Sequence, residues 1–392
     1  MVVVGIGADG WAGLDASRRA AVESADVVLG GERHLAMLPA EITAERRAWP
    51  TPLRDALPSL MHELADRRVV ALASGDPLVS GIGSTLVDLL GPDAVEVLPA
   101  VSSVALARAR MGWAAETVEV VRDHRLLTRH LAPHARILVL SSDGSTPAKV
   151  ARLLTDVDHG ASVMTVLSDL GSDRESRVDG VAATWFQGES PPLNVVAVTC
   201  DGASAHALTT GLPDDVFDHD GQITKRDLRA AALAHLAPVR GELLWDVGAG
   251  AGSIAIEWMR THASCRAVAV EMRADRRKRI EENAAKLGVP DLLVVEGHAP
   301  EALEDLDAPD AVFVGGGATE PGLLDACWRA LGSDGRLVVH GVTLETERVL
   351  AERHAELGGE LTRLHVEHAA PIGSFTGWTP SRAITQWSVT KP

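Results

Sequence analysis

The stretch LLWDVGAGAGSIAIEW, residues 243–258, decides how the second half of this chain is read. It opens as an apolar run of strand length and closes with apolar residues at helical spacing. Between the two stand Gly248, Gly250 and Gly252, with Asp246 just ahead of them. Glycine at alternate positions weakens helix and strand alike, because each one adds backbone freedom that folding must remove. A tight strand-to-helix turn, with a ligand lying against bare backbone, accounts for that spacing.

Outward from this turn, strand-like runs and helical stretches alternate to the C-terminus. The runs are LLWDV, RAVAVE, LLVVE, DAVFVG, GRLVVHG, LTRLHVE and AITQWSV. Helices separate the first five, which implies a doubly wound, seven-stranded parallel sheet, Rossmann-like in form. The last two have only a loop between them and are expected to form a terminal hairpin. Ahead of the first strand, TKRDLRAAALAHL reads as a helix, with Thr224 as its cap, Asp227 as a capping-box acid, and Leu228, Ala232, Leu233 and Leu236 as its buried stripe.

In such sheets ligands sit beyond the carboxyl ends of the strands. Glu271 ends the second strand, where an acid can accept hydrogen bonds from ribose hydroxyls. A dinucleotide site wants G-x-G-x-x-G, so that a pyrophosphate docks on the helix N-terminus. Here the glycines run G-x-G-x-G, and the carboxylate of Asp246 suits an ammonium group. The pattern favours S-adenosylmethionine. EGHAPEAL (296–303), through Gly297, His298 and Ala299, is placed to flank the adenine. FVGGGATEP (313–321) lacks the N/D-P-P-[YFW] element of many amino-group methylases.

The first two hundred residues also alternate. VVVGI (2–6), DVVLG (26–30), RVVALAS (68–74) and AVEVL (94–98) read as buried strands. TPLRDALPSLMHELADR reads as a helix burying Leu57, Leu60, Met61 and Leu64. A second lobe follows, with strands in TVEVV, ARILVLSS, ASVMTVLSD and LNVVAVTC. Polar, aperiodic residues 201–222 mark a boundary. The expected domains are 1–205, with lobes of about 1–112 and 113–205, a linker at 206–217, and 218–392.

Two resemblances follow from these motifs. Residues 218–392 resemble the family of decarboxylating precorrin-6B (5,15)-methyltransferases of cobalamin biosynthesis, through GQITKRDLRAAALAHL, the 243–258 stretch, VEGHAPEAL, DAVFVGGG and PIGSFTGWTPSRAITQW. Position by position, this resemblance implies cofactor contacts at Thr224, Gly248, Ala249, Gly250, Ala251, Gly252, Glu271 and Ala299. The first half, through VVVGIGADGW, ASGDPLVSGIGS (73–84) and LPAVSSVALARARMGW (98–113), resembles the tetrapyrrole methylase family, whose cofactor lies between two α/β lobes. The contacts implied there are Gly5, Gly7, Gly75, Asp76, Val79, Ser102 and Ser103. Where that family often has proline after the second glycine, this chain has Ala8-Asp9.

Together the resemblances imply one bifunctional methyltransferase with two S-adenosylmethionine sites per chain. Its reactions would be methylation of a precorrin at carbons 5 and 15, with loss of carbon dioxide from the ring C acetate. No catalytic residue is assigned. Lys225, Arg226, Arg229 and Arg382 on one side, and Arg33 and His34 on the other, are candidate partners for substrate carboxylates.

Composition bounds the rest. A chain of 392 residues calls for two or three domains, at about 150 residues each. The net charge of −17 and only 3% aromatic residues, with no tyrosine, oppose nucleic-acid binding. They thereby oppose the alternative of an RNA methyltransferase with an accessory N-terminal domain. RADRRKR (273–279) reads as an exposed helix face balanced by Glu281 and Glu282. No apolar run is long enough for a membrane span. Cys200, Cys265 and Cys327 are far apart, which excludes a disulfide framework or a zinc site and points to the cytoplasm. The expected partners are a small tetrapyrrole and further copies of the chain, in a homo-oligomer.

Overall fold

The computed structural model describes residues 1–186, 188–202 and 206–392. The chain divides into two compact units, Met1–Ser204 and Ala205–Pro392.

The first lobe of the N-terminal unit runs β1 (Val2–Ile6), α1 (Ala16–Glu23), β2 (Val27–Gly30), α2 (Glu32–Ala36), β3 (Glu45–Ala48), α3 (Leu53–Glu63), β4 (Val69–Ser74), α4 (Ile82–Leu90), β5 (Glu96–Leu98) and α5 (Ser103–Met111). Its five strands are all parallel, in the order β3-β2-β4-β1-β5. Val3, Val27, Leu29 and Ala71 are buried on one face of the sheet and Val4, Ile6, Val28 and Leu72 on the other, as the unbroken apolar runs require. Of the stripe expected on α3, Leu57, Leu60 and Leu64 are buried, and Met61 packs at the edge of the same cluster.

The second lobe runs β6 (Glu119–Val121), β7 (Arg136–Leu140), α6 (Thr146–Asp156), β8 (Val163–Ser168), β9 (Ser176–Val181) and β10 (Asn194–Thr199), in the order β6-β7-β10-β8-β9. Only β6 and β7 pair in parallel. Two strands escaped the sequence reading. Both β3 (ERRA) and β9 (SRVDGV) are polar edge strands, held by backbone pairing on one side and carrying no apolar alternation.

The C-terminal unit runs α7 (Arg226–Leu236), β11 (Leu243–Val247), α8 (Ser253–Thr261), β12 (Arg266–Glu271), α9 (Ala274–Lys286), β13 (Leu293–Glu296), β14 (Ala311–Val314), α10 (Leu323–Ala330), β15 (Arg336–Gly341), α11 (Leu344–Leu357), β16 (Glu360–Leu364), β17 (Glu367–Ile372), β18 (Phe375–Pro380) and β19 (Ile384–Thr390). The seven-stranded sheet has the order β13-β12-β11-β14-β15-β19-β16, with β19 antiparallel to both its neighbours. The expected terminal pair is therefore β16 with β19. The segment between them is not a plain loop, because β17 and β18 form a separate two-stranded hairpin.

Three local expectations are corrected. Thr224 does not cap α7, because the helix begins one residue later, after Lys225, and Lys225 makes no side-chain cap bond. The face 273–279 is exposed at Arg273 and Lys278, and Lys278 pairs with Glu282 at 3.5 Å, but Arg276 and Arg277 are half-buried and pair instead with Asp220 at 3.0 Å and Glu296 at 2.6 Å. Arg229 is not available to a ligand. It is fully buried, with Nε donating to Glu257 at 2.6 Å and Nη2 to the Leu212 carbonyl. Glu257 in turn accepts from the Gly211 and Leu212 amides, so residues 211–217 are strapped onto α8, with Leu212 and Phe217 buried beneath.

Candidate functional sites: one cavity in each unit

In the C-terminal unit a cavity of about 720 Å³ opens beyond the carboxyl ends of β11, β12, β14 and β15. Thr224, Gly248, Ala249, Gly250, Glu271 and Ala299 all line it, together with Gly297 and His298. Ala251 and Gly252 do not. Ala251 is buried, and a side chain on Gly252 would meet Ile280 of α9 at 2.8 Å, so these two hold the turn against the helix layer.

Asp246 also lies outside the cavity. It is 1% exposed, and Oδ2 accepts the Ala255 amide of α8 at 3.1 Å. Burial pushes its carboxyl up to about 7, against the lowering effect of that hydrogen bond and with the nearby Glu271 charge adding to the rise. It ties the first turn of α8 to the strand.

Glu271 sits where a ribose acceptor belongs. Its two carboxylate oxygens accept the Gly250 amide at 3.0 Å and the Arg273 amide at 3.1 Å. A carboxylate has about four acceptor sites, so two bonds leave capacity for ligand hydroxyls. The glycines answer to the chain itself as well as to a ligand. Gly250 has φ +60°, and a Cβ there would stand 2.8 Å from the Gln222 carbonyl oxygen.

Of the candidate cations, Lys225 and Arg382 line the cavity; Arg226 and Arg229 do not. Sequence reasoning missed His340, at the end of β15. It lines the cavity while only 7% exposed, with Nε2 2.9 Å from Gln386 Oε1 and its ring edge-on to Phe313 at 5.0 Å. Burial lowers its pKa to about 4, although the Gln386 bond acts in the opposite direction. The only signal for it in the sequence is a histidine followed by glycine at a strand's carboxyl end.

In the N-terminal unit a cavity of about 420 Å³ lies between the two lobes. Gly7, Gly75, Asp76, Val79, Ser102 and Ser103 line it from the first lobe; Leu140, Leu167 and Asn194 line it from the second. Gly5 does not. A Cβ on Gly5 would stand 2.0 Å from the Gly75 carbonyl oxygen, so this glycine lets two chain segments cross. Asp76 accepts the Leu78 amide at 2.9 Å, and Ser102 caps α5 through the Ala105 amide at 3.1 Å, so both keep a local structural task beside the cavity.

Arg33, His34 and Ser74 share this wall. Arg33 Nη2 reaches His34 Nε2 at 2.7 Å and Ser74 Oγ at 2.9 Å. An arginine nitrogen only donates, so His34 Nε2 accepts. Burial first, and the Arg33 charge second, lower the His34 pKa to about 4.

Both cavities fall within the range of small-molecule sites, about 300–1,000 Å³. Among the described residues no group of three or more His, Cys, Asp or Glu is placed to hold a metal ion, and no helix is long and apolar enough to cross a membrane. The C-terminal sheet, with its glycine turn and a carboxylate on the second strand, has the form of a Rossmann-like, S-adenosylmethionine-dependent methyltransferase.

The comparisons agree for both units. A family model described as "Precorrin methyltransferase domain" matches residues 215–391, and one described as "Tetrapyrrole (Corrin/Porphyrin) Methylases" matches residues 1–184. A Sinorhizobium sp protein named precorrin-6Y C(5,15)-methyltransferase [decarboxylating] is 45% identical, over 100% of this chain and 96% of its own length. The Mycobacterium tuberculosis (strain CDC 1551 / Oshkosh) protein of the same name is 47% identical, over 100% of both chains. A probable cobalt-precorrin-6B C(15)-methyltransferase (decarboxylating) from Pyrobaculum calidifontis is 35% identical over 44% of this chain and 91% of its own length. The chain belongs to the family of decarboxylating precorrin-6Y C(5,15)-methyltransferases.

Proposed function

We propose that each unit holds its own S-adenosylmethionine, the N-terminal unit methylating carbon 5 of a precorrin and the C-terminal unit methylating carbon 15 and releasing carbon dioxide from the ring C acetate. The observation that carries this reading is a pair of separate cavities, each at the carboxyl ends of parallel strands and each edged by glycine turns. The Pyrobaculum relative, named for carbon 15 alone, matches less than half of this chain, which supports the division of labour.

When bound, the cofactor supplies a methyl group already activated on a sulfonium, so no covalent nucleophile is needed. In the C-terminal cavity, Glu271 would accept the ribose hydroxyls and Gly297–Ala299 would flank the adenine. In the N-terminal cavity, Gly7, Gly75, Asp76, Val79, Ser102 and Ser103 would surround the cofactor. The protein's task is then orientation, which can supply several kcal/mol of the barrier. Lys225 and Arg382 in one cavity, and Arg33 in the other, would pair with substrate carboxylates in an otherwise acidic protein.

The reading extends to setting. Three free, buried cysteines fit a reducing compartment, the cytoplasm. Ile372, Phe375 and Trp378 of the β17–β18 hairpin are 60%, 78% and 70% exposed, which supports burial against other copies in a homo-oligomer. Light scattering on the intact chain checks this, and a monomer would contradict it.

The test of the function uses the full chain. Incubation with a precorrin and labelled methyl donor is expected to yield a product with two new methyls and one carbon dioxide fewer. Gly250→Val is expected to leave one methyl added and the carboxylate retained. A variant that still decarboxylates at the wild-type rate would count against the assignment of that step to the C-terminal cavity.

A further inference from the structure

The chemistry of the C-terminal cavity has a proton balance that points to one side chain. Adding a methyl group to a ring CH forms a carbon–carbon bond, breaks the donor's carbon–sulfur bond and finally expels the CH proton, whose electron pair restores the ring double bond. Losing carbon dioxide from an acetate carboxylate breaks a carbon–carbon bond, and the pair left on the side-chain carbon must take up a proton. One step releases the proton that the other consumes. A single group that accepts and then returns a proton serves both.

We propose that His340 is that group: its Nδ1 takes the proton expelled at carbon 15 and delivers it to the carbon from which carbon dioxide departs. This rests on the assignment of both steps to the C-terminal cavity. Three observations carry it. His340 lines the cavity at the carboxyl end of β15, the edge of the sheet where ligands bind. Gln386 Oε1, 2.9 Å from Nε2, accepts a hydrogen bond from the Nε2–H and so leaves Nδ1 as the bare acceptor of the neutral ring. The Phe313 contact, 5.0 Å between centroids and nearly perpendicular, fixes the ring plane.

The electrostatic surroundings agree. Burial disfavours the charged ring, which makes protonated His340 a willing donor. Of the elements packed against β15, β14 contributes Phe313 and β19 contributes Gln386. On α7, Arg229 is committed to Glu257 and His235 to Ser388; on α11, Glu347 is committed to Arg363 and Thr385. The charged or titratable groups sharing the cavity are Lys225, Glu271, Arg276, His298, Glu320 and Arg382. Glu271 accepts two backbone amides and Arg276 pairs with Asp220, so His340 is the buried neutral base among them.

Two measurements on the full chain test this, and neither is activity alone. Nitrogen NMR of histidine-labelled protein is expected to show His340 neutral at neutral pH with its proton on Nε2; a proton on Nδ1, or a charged ring, overturns the proposal. In turnover, His340→Gln is expected to lose about 10²–10⁴ in kcat for the carbon 15 and decarboxylation steps, with KM little changed and carbon 5 methylation retained. Gln386→Glu places a carboxylate on Nε2 and is expected to move the acid limb of the decarboxylation pH profile upward by roughly 1–3 units. Wild-type decarboxylation by His340→Gln, or an acid limb unmoved in Gln386→Glu, overturns the proposal. If the wild-type chain makes no carbon 15 methyl at all, the underlying assignment has failed instead.

Discussion

The two units build their cavities on different frames. In the N-terminal unit the cavity lies between two sheets, one wholly parallel and one mostly antiparallel. In the C-terminal unit it lies at one edge of a single seven-stranded sheet. Yet each frame places a glycine where the chain crosses itself beside the cavity: Gly5 under the Gly75 carbonyl, Gly250 under the Gln222 carbonyl. Each also places a histidine with its pKa lowered to about 4 on the wall, the half-buried His34 in one and the buried His340 in the other. The difference lies in what those histidines face. His34 accepts from a cation, Arg33, whereas His340 donates to a neutral amide, Gln386. That contrast underlies the proposal that the first wall holds a substrate anion and the second moves a proton.

The largest effect that separates the units is expected at Arg229. Arg229→Met leaves Glu257 buried without its charged partner and removes the bond to the Leu212 carbonyl, so the C-terminal unit should lose about 3–5 kcal/mol, read by denaturant unfolding followed separately in each unit. Equal loss in both units would break the comparison. Gly250→Val forces a side chain into a left-handed residue facing the Gln222 carbonyl, at about 1–3 kcal/mol, and should abolish carbon 15 methylation while sparing carbon 5, read by product mass.

Stability against pH sharpens the contrast further. A histidine whose folded pKa is below its unfolded value binds protons more readily when unfolded, so stability is lost as pH falls from the ordinary histidine range towards about 4. His34→Gln should flatten that loss in the N-terminal unit only. Asp246 acts in the opposite sense: its folded pKa of about 7 means the folded state holds the proton, so stability is lost as pH rises from the usual carboxylate range to about 7. Asp246→Asn should remove that decline in the C-terminal unit. The smallest expected effect is Ser102→Ala, about 1 kcal/mol from the lost α5 cap, read as a lowered Tm of the N-terminal unit.

The parts of the fold legible in the sequence were those with an apolar period. VVVGI, LLWDV and RAVAVE form central strands, and packing on both faces demands their runs of Val and Leu. ERRA and SRVDGV form strands by backbone pairing alone at sheet edges, so their side chains carry no signal. The hairpin in residues 367–380 was hidden for a related reason, since most of its residues face outward. For the sites, motif spacing located the two turns but not the direction each residue faces. Gly5, Ala251 and Gly252 were read with their neighbours as ligand contacts, and each is turned into the protein. The charge of Asp246 suggests a ligand partner, whereas its carboxylate lies outside the cavity lining and accepts the Ala255 amide of α8. His340 was one of 15 scattered histidines, and its distinction is the sheet that buries it.

The most direct measurement is calorimetric titration of the intact protein with S-adenosylmethionine, in parallel with Gly250→Val. Two equivalents bound by the wild type and one by the variant are predicted. A single equivalent on the wild-type chain, or two on the variant, would contradict the account of one methyl-donor cavity in each unit.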